Sequence, residues 1–322
     1  MDKSTGYIRT VTGDIKPELL GYCQSHEHLF IADGHSAKQV PSLLLDDLDA
    51  TCSELELYKR HGGVSIADAQ PVGCGRMADM QLEASERTGV NILASTGFHK
   101  LIFYPGGHWL KTIDSDELAE LFIDEISNGM YIDCDISKPE RSINARAGII
   151  KTASDPEGPA GDYKRLFSAA AQASAVTGVP ILSHTEMGKG ALEQIRFFTD
   201  RKVPVESIII CHLDRDLTDM GYLMEAASTG VYLELDTIGR HKYHSDDDEA
   251  GFISKLLENG YEDRLLLGLD TTRERMKAYG GPIGLDYMFE IFFPLLKSYG
   301  IDERYISKFT VSNPAKAFTI KQ

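Results

Sequence analysis

The chain has 322 residues, a formal net charge of −16 and a pI near 5.0. This length fits two average domains or one large α/β barrel, and a composition of 42% hydrophobic and 25% charged residues excludes wholesale disorder. The acidic balance argues against nucleic acid or an anionic membrane as a partner.

The cysteines and the N-terminal segment bear on the cellular compartment. Five cysteines are spaced widely and form no CxxC pair, so we predict free thiols and a cytoplasmic location. The opening segment MDKSTGYIRTVTGD lacks the apolar region of a signal peptide. Glu290 and Pro294 interrupt the longest apolar run, which is shorter than the ~20 residues of a membrane span.

Eight short, nearly continuous apolar runs recur along the chain, and helix-like segments separate them. They cover residues 19–26, 62–72, 90–98, a run that ends at Lys151, 179–185, 207–213, 230–236 and 264–270. Strands that are buried on both faces of a parallel sheet have this composition. The repeat therefore predicts eight strand–helix units.

The segments between the runs carry helix signals. Ser115 precedes two acids as a candidate N-cap, Gly178 and Gly260 follow helical patterns, and a longer apolar helix is predicted over 281–300. Eight units indicate a (β/α)8 TIM barrel whose active site lies at the C-terminal ends of the strands. We find no linker and predict a single domain over residues 1–322. An open doubly wound sheet would need a glycine-rich turn after the first strand, where SHEHLF stands instead.

Polar side chains stand at the ends of the apolar runs, in register with the repeat. They are His26, His28, Lys151, His184, His212 and Asp270. Residues i and i+2 of a strand point to the same side, so His26 and His28 can both face the barrel mouth while Glu27 points away. Imidazole and carboxylate are suitable ligands for Zn²⁺ or Mn²⁺. The pattern predicts a metal site.

Each of these residues also has a simpler interpretation. An HxH on a strand can be incidental, His184 and His212 can be core histidines, and Asp270 can be an N-cap. Lys151 can be a buried ammonium paired with Asp270, or a neutral amine that has added CO₂ to give an anionic carbamate. The register of all six favours the metal site over the separate alternatives.

The segments SHEHLF, AGIIK, ILSHTEMG, ICHLDR, GLD and NPAKAF together resemble the phosphotriesterase-like branch of the amidohydrolase superfamily. The resemblance spans His26 to Phe318 and implies a barrel that holds two divalent metal ions. By that pattern His26, His28 and Asp270 bind one ion, and His184 and His212 bind the other. Lys151, as N6-carboxylysine, and a hydroxide would bridge them. Zn²⁺, Mn²⁺ and Co²⁺ all suit such ligands, with Zn²⁺ preferred.

The resemblance and the last two loops together predict the reaction. A hydroxide at neutral pH would attack an ester, lactone or phosphoester, and Asp270 would shuttle its proton. The loops carry five candidate anion binders: Arg240, Lys242, Arg273, Arg275 and Tyr279. Arg273 and Lys242 are preferred among them. Barrel enzymes often bind phosphate there, so we predict a small anionic substrate, a phosphorylated sugar lactone. His99 and Lys100 after the third strand are weaker candidates for the pocket.

Several alternatives stay open at this point. The cationic loops can be a solvated face neutralised by residues 246–249 and Glu274. A phosphotriesterase or an acyl-homoserine lactone lactonase would favour an apolar pocket instead. A mononuclear deaminase would not need Lys151, and a binding protein without activity should have lost ligands. A homodimer is expected.

Overall fold

Eight parallel strands form one sheet, and their order in space follows their order along the chain. The computed structural model describes residues 6–321, so the start of the segment interpreted as lacking a signal peptide lies outside it. The strands are β1 (Cys23–Glu27), β2 (Ser65–Asp68), β3 (Asn91–Gly97), β4 (Ile149–Ala153), β5 (Ile181–His184), β6 (Ile208–Cys211), β7 (Tyr232–Leu235) and β8 (Leu265–Leu267). The predicted TIM barrel is confirmed.

The strands are shorter than the apolar runs, and one boundary was predicted wrongly. β4 does not end at Lys151, because it continues to Ala153 and pairs Lys151 with Gly97 on one side and Leu182 on the other. Lys151 therefore lies inside the barrel, below the mouth. The apolar residues of the neighbouring turns lengthened the predicted strands, since periodicity alone does not separate a strand from a buried turn.

Helices pack around the sheet. They are α1 (His35–Gln39), α2 (Leu48–Arg60), α3 (Ala78–Thr88), α4 (Ser115–Ser127), α5 (Tyr163–Thr177), α6 (Ala191–Asp200), α7 (Met220–Ser228), α8 (Asp246–Glu258), α9 (Phe293–Ser298), α10 (Glu303–Ser307) and α11 (Asn313–Ala317). Short 3-10 turns occupy several loops, and small antiparallel hairpins pair Ile8–Thr10 with Gly13–Ile15 and Tyr131–Ile132 with Arg141–Ser142. No helix among residues 6–321 is both long and apolar enough to cross a membrane.

The helix ends follow local chemistry. Asp114, and not the predicted Ser115, caps α4 by accepting from the amides of Asp116 and Glu117. The predicted stop of α5 at Gly178 is confirmed, because this glycine has a φ of 73° and donates to the Ser174 carbonyl. The single helix predicted over 281–300 is wrong.

That C-terminal segment is divided. A π-helical stretch, Met288–Phe292, precedes α9, and Pro294 stands at the start of α9. Proline has no amide hydrogen to donate to the carbonyl four residues earlier, which explains why regular α-helical bonding breaks there.

At the seam between β8 and β1, a side chain as well as the backbone supplies the hydrogen bonds that close the barrel. The Asp270 amide donates to the His26 carbonyl at 2.9 Å. The buried Glu27 carboxylate accepts from the amides of Leu269 at 2.8 Å and Thr271 at 3.1 Å, and from the Thr271 hydroxyl at 2.6 Å. One carboxylate thus supplies much of the hydrogen bonding at this junction, and it explains why Glu27 points away from the mouth.

Candidate active site

A cavity of about 570 Å³ opens at the C-terminal ends of the strands. All six predicted ligand residues line it: His26, His28, Lys151, His184, His212 and Asp270. They come from five different strands or the residues just beyond them, so the barrel brings together groups that are up to 244 positions apart in the chain.

The four imidazoles form a continuous cluster. Ring centroids are 5.7 Å apart for His26 and His28, 4.9 Å for His26 and His212, and 4.4 Å for His184 and His212. The Nζ atom of Lys151 lies 3.2 Å from Nε2 of His26. Oδ1 of Asp270 lies 3.3 Å from Nε2 of His28 and 3.8 Å from Nε2 of His26.

The orientation of His28 leaves a lone pair for a cation. The side-chain amide of Gln70 donates to the Cys74 carbonyl, so its oxygen faces His28 Nδ1 at 2.8 Å and accepts that proton. His28 Nε2 is then unprotonated, and it faces a carboxylate oxygen of Asp270. Two lone pairs that meet in this way call for a positive ion between or beside them.

Asp236, at the end of β7, is a site residue that the sequence interpretation missed. Its Oδ1 bonds Nδ1 of His212 at 2.5 Å, and its Oδ2 lies 3.3 Å from Nδ1 of His26. This carboxylate fixes the imidazole of His212, turns its Nε2 toward the cavity, and lies beside His26. The signal was present, because Asp236 ends the apolar run 230–236, but that run lacked a histidine and was passed over.

Burial favours the neutral form of three of the four imidazoles. It lowers the pKa of His26 and of His184 to about 4, with the Lys151 ammonium adding to the effect at His26. The pKa of His212 is also well below its ordinary value, chiefly through burial. Burial alone would raise the pKa of Asp236, but the imidazoles of His212 and His26 hold it well below the usual range. Neutral imidazole beside carboxylate is the protonation state that divalent metals bind.

The backbone is strained at two of these residues. His212 has a φ of 63° and Asp270 a φ of 47°, in the left-handed region that disfavours side chains. Gly97, which pairs with Lys151 from the neighbouring strand β3, occupies a position without room for a side chain. A Cβ there would lie 1.9 Å from the Lys151 carbonyl oxygen. These positions set the direction of the side chains that meet in the cavity.

The donor set fits divalent metal ions. Nε2 of His184 is buried and has no hydrogen-bond partner, and ligand atoms of His26, His28 and Asp270 lie within 4.8 Å of one another. Among residues 6–321, no carboxylate lies within 4.0 Å of the Lys151 ammonium, so the alternative that pairs it with Asp270 is not what the structure contains. An ammonium without a counter-charge is costly to bury, whereas a carbamate would be a ligand.

The predicted anion binders divide into two groups. Arg240, Lys242 and Arg275 line the cavity, whereas Arg273 and Tyr279 do not. Arg273 donates to the Leu44 carbonyl and stacks over the Tyr279 ring at 5.0 Å, with 42% of its side chain exposed. Arg273 and Tyr279 therefore lie at the outer rim in this structure.

The cations inside the cavity are held to differing degrees. Arg275 donates to the carbonyls of Leu269 and Ile238, and burial lowers its pKa to about 10. Arg240 contacts the backbone carbonyl and the carboxylate of Asp270. Lys242 lies 4.8 Å from the Tyr243 ring centroid, and the described chain offers it no carboxylate within 4.0 Å. Lys242 is exposed and, unlike Arg275, donates no hydrogen bond to a carbonyl of the described chain, so it is free to bind an anion.

Arg215 is a second site residue that the sequence interpretation missed. Its Nη2 donates to Oδ2 of Asp270 at 2.5 Å, and the side chain is 8% exposed. Burial would raise the pKa of Asp270, but the charges of Arg240 and Arg215 hold it well below its ordinary value. Arg215 stands three residues after His212 in the segment ICHLDR, although spacing alone did not indicate that its side chain turns back to β8.

An eight-stranded barrel with buried histidines and carboxylates at the C-terminal mouth defines a metal-dependent hydrolase. The model of the phosphotriesterase family matches residues 6–318 of this chain. The chain therefore belongs to the phosphotriesterase family, as the sequence motifs predicted.

Relatives and solved structures agree with this assignment. A phospho-furanose lactonase of Mycoplasmopsis agalactiae is 32% identical over 319 residues, covering 96% of this chain and 90% of the relative. A lactonase from Listeria monocytogenes superposes with a TM-score of 0.90 at 30% identity, covering 98% of this chain and 100% of the other. The phosphotriesterase homology protein of Escherichia coli, solved with phosphate in its active site, has a TM-score of 0.83 at 28% identity and covers 94% and 99%.

Proposed function

We propose that this enzyme hydrolyses a phosphorylated furanose lactone. The observation that carries the proposal is the weakly neutralised ammonium of Lys242 on the wall of the cavity that holds the six ligand-type side chains. A cation there suits an anionic group on the substrate. The names of the Mycoplasmopsis and Listeria relatives support lactone hydrolysis, and the Mycoplasmopsis name and the phosphate in the Escherichia coli structure support the phosphoryl group.

Two divalent ions are proposed for the cavity. His26, His28 and Asp270 would hold one, and His184 and His212 the other, with Lys151 shared as a carbamate. When bound, such ions polarise a carbonyl oxygen and lower the pKa of water toward ~7. Zn²⁺ is preferred, and Mn²⁺ and Co²⁺ suit the same donors.

The side chains of the protein divide the remaining work. Asp270 takes the proton of the attacking water and delivers it to the ring oxygen that leaves. Arg215 and Arg240 orient that carboxylate and keep it ionised. Asp236 fixes His212 through Nδ1, which directs Nε2 to the cavity. Lys242 binds the phosphoryl group, with Arg240 beside it.

The placement of Arg273 and Tyr279 outside the cavity does not favour them as anion binders, yet their assignment stays a prediction. Arg273 has one carboxylate nearby, Asp46, at the long distance of 3.9 Å. Its neighbours Thr272 and Glu274 line the cavity, so Arg273 is one residue away from the cavity wall along the chain. A substitution of Arg273 is therefore measured with the same two lactones as the substitution of Lys242.

The experiment compares a phosphorylated lactone with its unphosphorylated twin. Removing one charge-assisted contact should cost roughly 1.5–3 kcal/mol of transition-state stabilisation. The kcat/KM for the phosphorylated lactone should therefore fall about ten- to a hundredfold. Lys242→Met should show this loss only on the phosphorylated compound. Lys277→Met is a matched control, because that lysine is paired with Asp286 at 2.6 Å outside the cavity. Equal losses on both lactones would reject the phosphate site.

A second candidate is favoured by a different part of the cavity. Val40, Leu43, Phe103 and Ile283 contribute an apolar arc to the lining. Such a surface suits the acyl chain of an acyl-homoserine lactone or the substituents of a phosphotriester. A wild type that prefers those substrates over the phosphorylated lactone would establish this alternative. Family membership argues against the mononuclear deaminase.

A further inference from the structure

An ion pair on the cavity wall has no role in the proposed reaction. Lys100, in the loop after β3, and Glu186, in the loop after β5, both line the cavity. Nζ of Lys100 lies 2.5 Å from Oε2 of Glu186 and 3.3 Å from Oδ1 of Asp155. Oε2 of Glu186 also lies 3.7 Å from Nε2 of His184, so the pair adjoins the proposed metal centre.

The pair keeps unused hydrogen-bonding capacity that is directed at solvent. The Lys100 side chain is 20% exposed and that of Glu186 is 35% exposed, although both adjoin buried groups. An ammonium has three donors, and the described carboxylates engage two of them. No hydrogen bond among residues 6–321 engages Oε1 of Glu186. A free donor next to a free carboxylate oxygen matches the two adjacent hydroxyl groups of a sugar.

The position of the pair agrees with the shape of a furanose lactone. β3 and β7 are four strands apart in a ring of eight, so Lys100 and Lys242 lie on opposite sides of the mouth. In such a lactone the carbon that bears the phosphoryl arm is bonded to one hydroxyl-bearing carbon and lies across the ring from the other, which adjoins the carbonyl. A phosphoryl group at Lys242 and a carbonyl at the centre would direct the hydroxyl beside the carbonyl, with its vicinal neighbour, toward Lys100.

We propose that Lys100 and Glu186 form a subsite for the vicinal hydroxyl groups of the lactone ring, with Glu186 accepting and Lys100 donating. This inference rests on the proposed lactonase function and assigns the hydroxylation of its substrate. The subsite discriminates against lactones without hydroxyls, because these would leave a partly buried charged pair facing an apolar ring.

The test uses two unphosphorylated lactones, erythronolactone, which has two vicinal hydroxyls, and γ-butyrolactone, which has none. Wild-type enzyme should favour erythronolactone in kcat/KM by roughly ten- to a hundredfold. Lys100→Met and Glu186→Gln should each remove most of that preference while the metal content stays unchanged. Lys189→Met, in the loop of Glu186 but outside the cavity, is the matched control and should retain the preference.

A binding measurement separates this inference from the proposed function. Calorimetric titration with erythronate and γ-hydroxybutyrate, the products of the two lactones, needs no hydrolysis. Tighter binding of erythronate that both variants abolish supports the subsite even if neither lactone is hydrolysed. Equal binding of the two acids by wild type overturns it. A loss of metal in Glu186→Gln also overturns it, since Glu186 would then be a ligand.

Discussion

Asp270 is the residue on which most of the site converges. Its backbone is left-handed, its amide belongs to the barrel seam, and its carboxylate is contacted by His28, Arg215 and Arg240. A residue that only capped a helix would not need two arginines at its carboxylate, one of them buried. The surroundings of Asp270 instead hold an ionised carboxylate in one orientation at the cavity floor.

The Asp270→Asn substitution tests the proton shuttle. Asparagine has nearly the same shape but cannot take a proton from water, and general acid–base catalysis contributes ~10²–10⁴-fold. We expect kcat to fall by at least that range, with the other ligands retaining much of the metal. Steady-state kinetics beside elemental analysis provides the check. A loss smaller than about tenfold in metal-loaded protein would remove Asp270 from the mechanism.

Lys151 makes a second prediction at this scale. Lys151→Met should lose metal and activity, because methionine fills the space but cannot add CO₂. In Lys151→Ala, a short carboxylic acid such as acetate should restore part of both, since it supplies the two missing oxygens. If the Lys151→Met enzyme kept two metal ions and full activity, the site would need no bridging ligand from this position.

The residue scale also explains what the sequence could and could not predict. His26, His28, His184 and His212 were predictable because each ends or follows an apolar run of the repeat. Asp236 and Arg215 depended on a side chain that reaches across strands, which one-dimensional spacing does not encode. The exposed rim position of Arg273 depends on its contacts with Leu44 and Tyr279, from parts of the chain remote from each other.

At the scale of elements, the eight units were predictable and their limits were not. Burial on both faces produces the continuous apolar runs, so the number and order of strands followed from composition. The position of Lys151 within β4 differs from the prediction, because a polar side chain after an apolar run looks the same in sequence whether the strand ends there or continues. The apolar periodicity of the sequence does not show that a lysine lies inside a barrel strand. The pairing of Lys151 with Gly97 and Leu182 in the structure shows it.

The seam yields a prediction at the element scale. Glu27→Ala would leave the amides of Leu269 and Thr271 buried without acceptors, at a cost of about 1–3 kcal/mol each. Urea denaturation followed by circular dichroism should show a clearly lower midpoint. Glu18→Gln, on an exposed side chain in a turn, should leave the midpoint unchanged. If Glu27→Ala matched wild type, the barrel would close without this carboxylate.

At the scale of the whole molecule, an acidic chain places several buried carboxylates around the site. The chain has 49 acidic and 33 basic side chains. Buried carboxyl groups such as that of Glu234 lie close to the candidate metal ligands. Glu234 has no hydrogen-bond partner for either oxygen, and burial raises its pKa well above the ordinary value. Divalent cations would offset the charge of the carboxylates whose pKa is held low, Asp236 and Asp270. Single-domain organisation, a homodimer and a cytoplasmic location stay predictions.

Metal removal tests this view of the whole molecule. A ligand that binds only the folded state stabilises it by ~2.7 kcal/mol at a hundred times its Kd. Chelation should therefore lower Tm by roughly 5 °C or more, and Zn²⁺ or Mn²⁺ should restore it. Differential scanning calorimetry of the chelated and reloaded protein measures the change. An identical Tm in both would mean that the cavity binds no metal at these concentrations.

The closure of the barrel by Glu27 also has a consequence for motion. The seam joins the first and last strands through one side chain and few backbone bonds, so it is a natural place for local opening. Opening there would separate His26 and His28 from Asp270 while the other strand pairs stay intact. Amide hydrogen exchange at Leu269 and Thr271 should then be faster than within β5 and β6, and it should slow when metal is bound. The frequency of local opening at the seam between β8 and β1 would then set the rate at which the enzyme releases its metal.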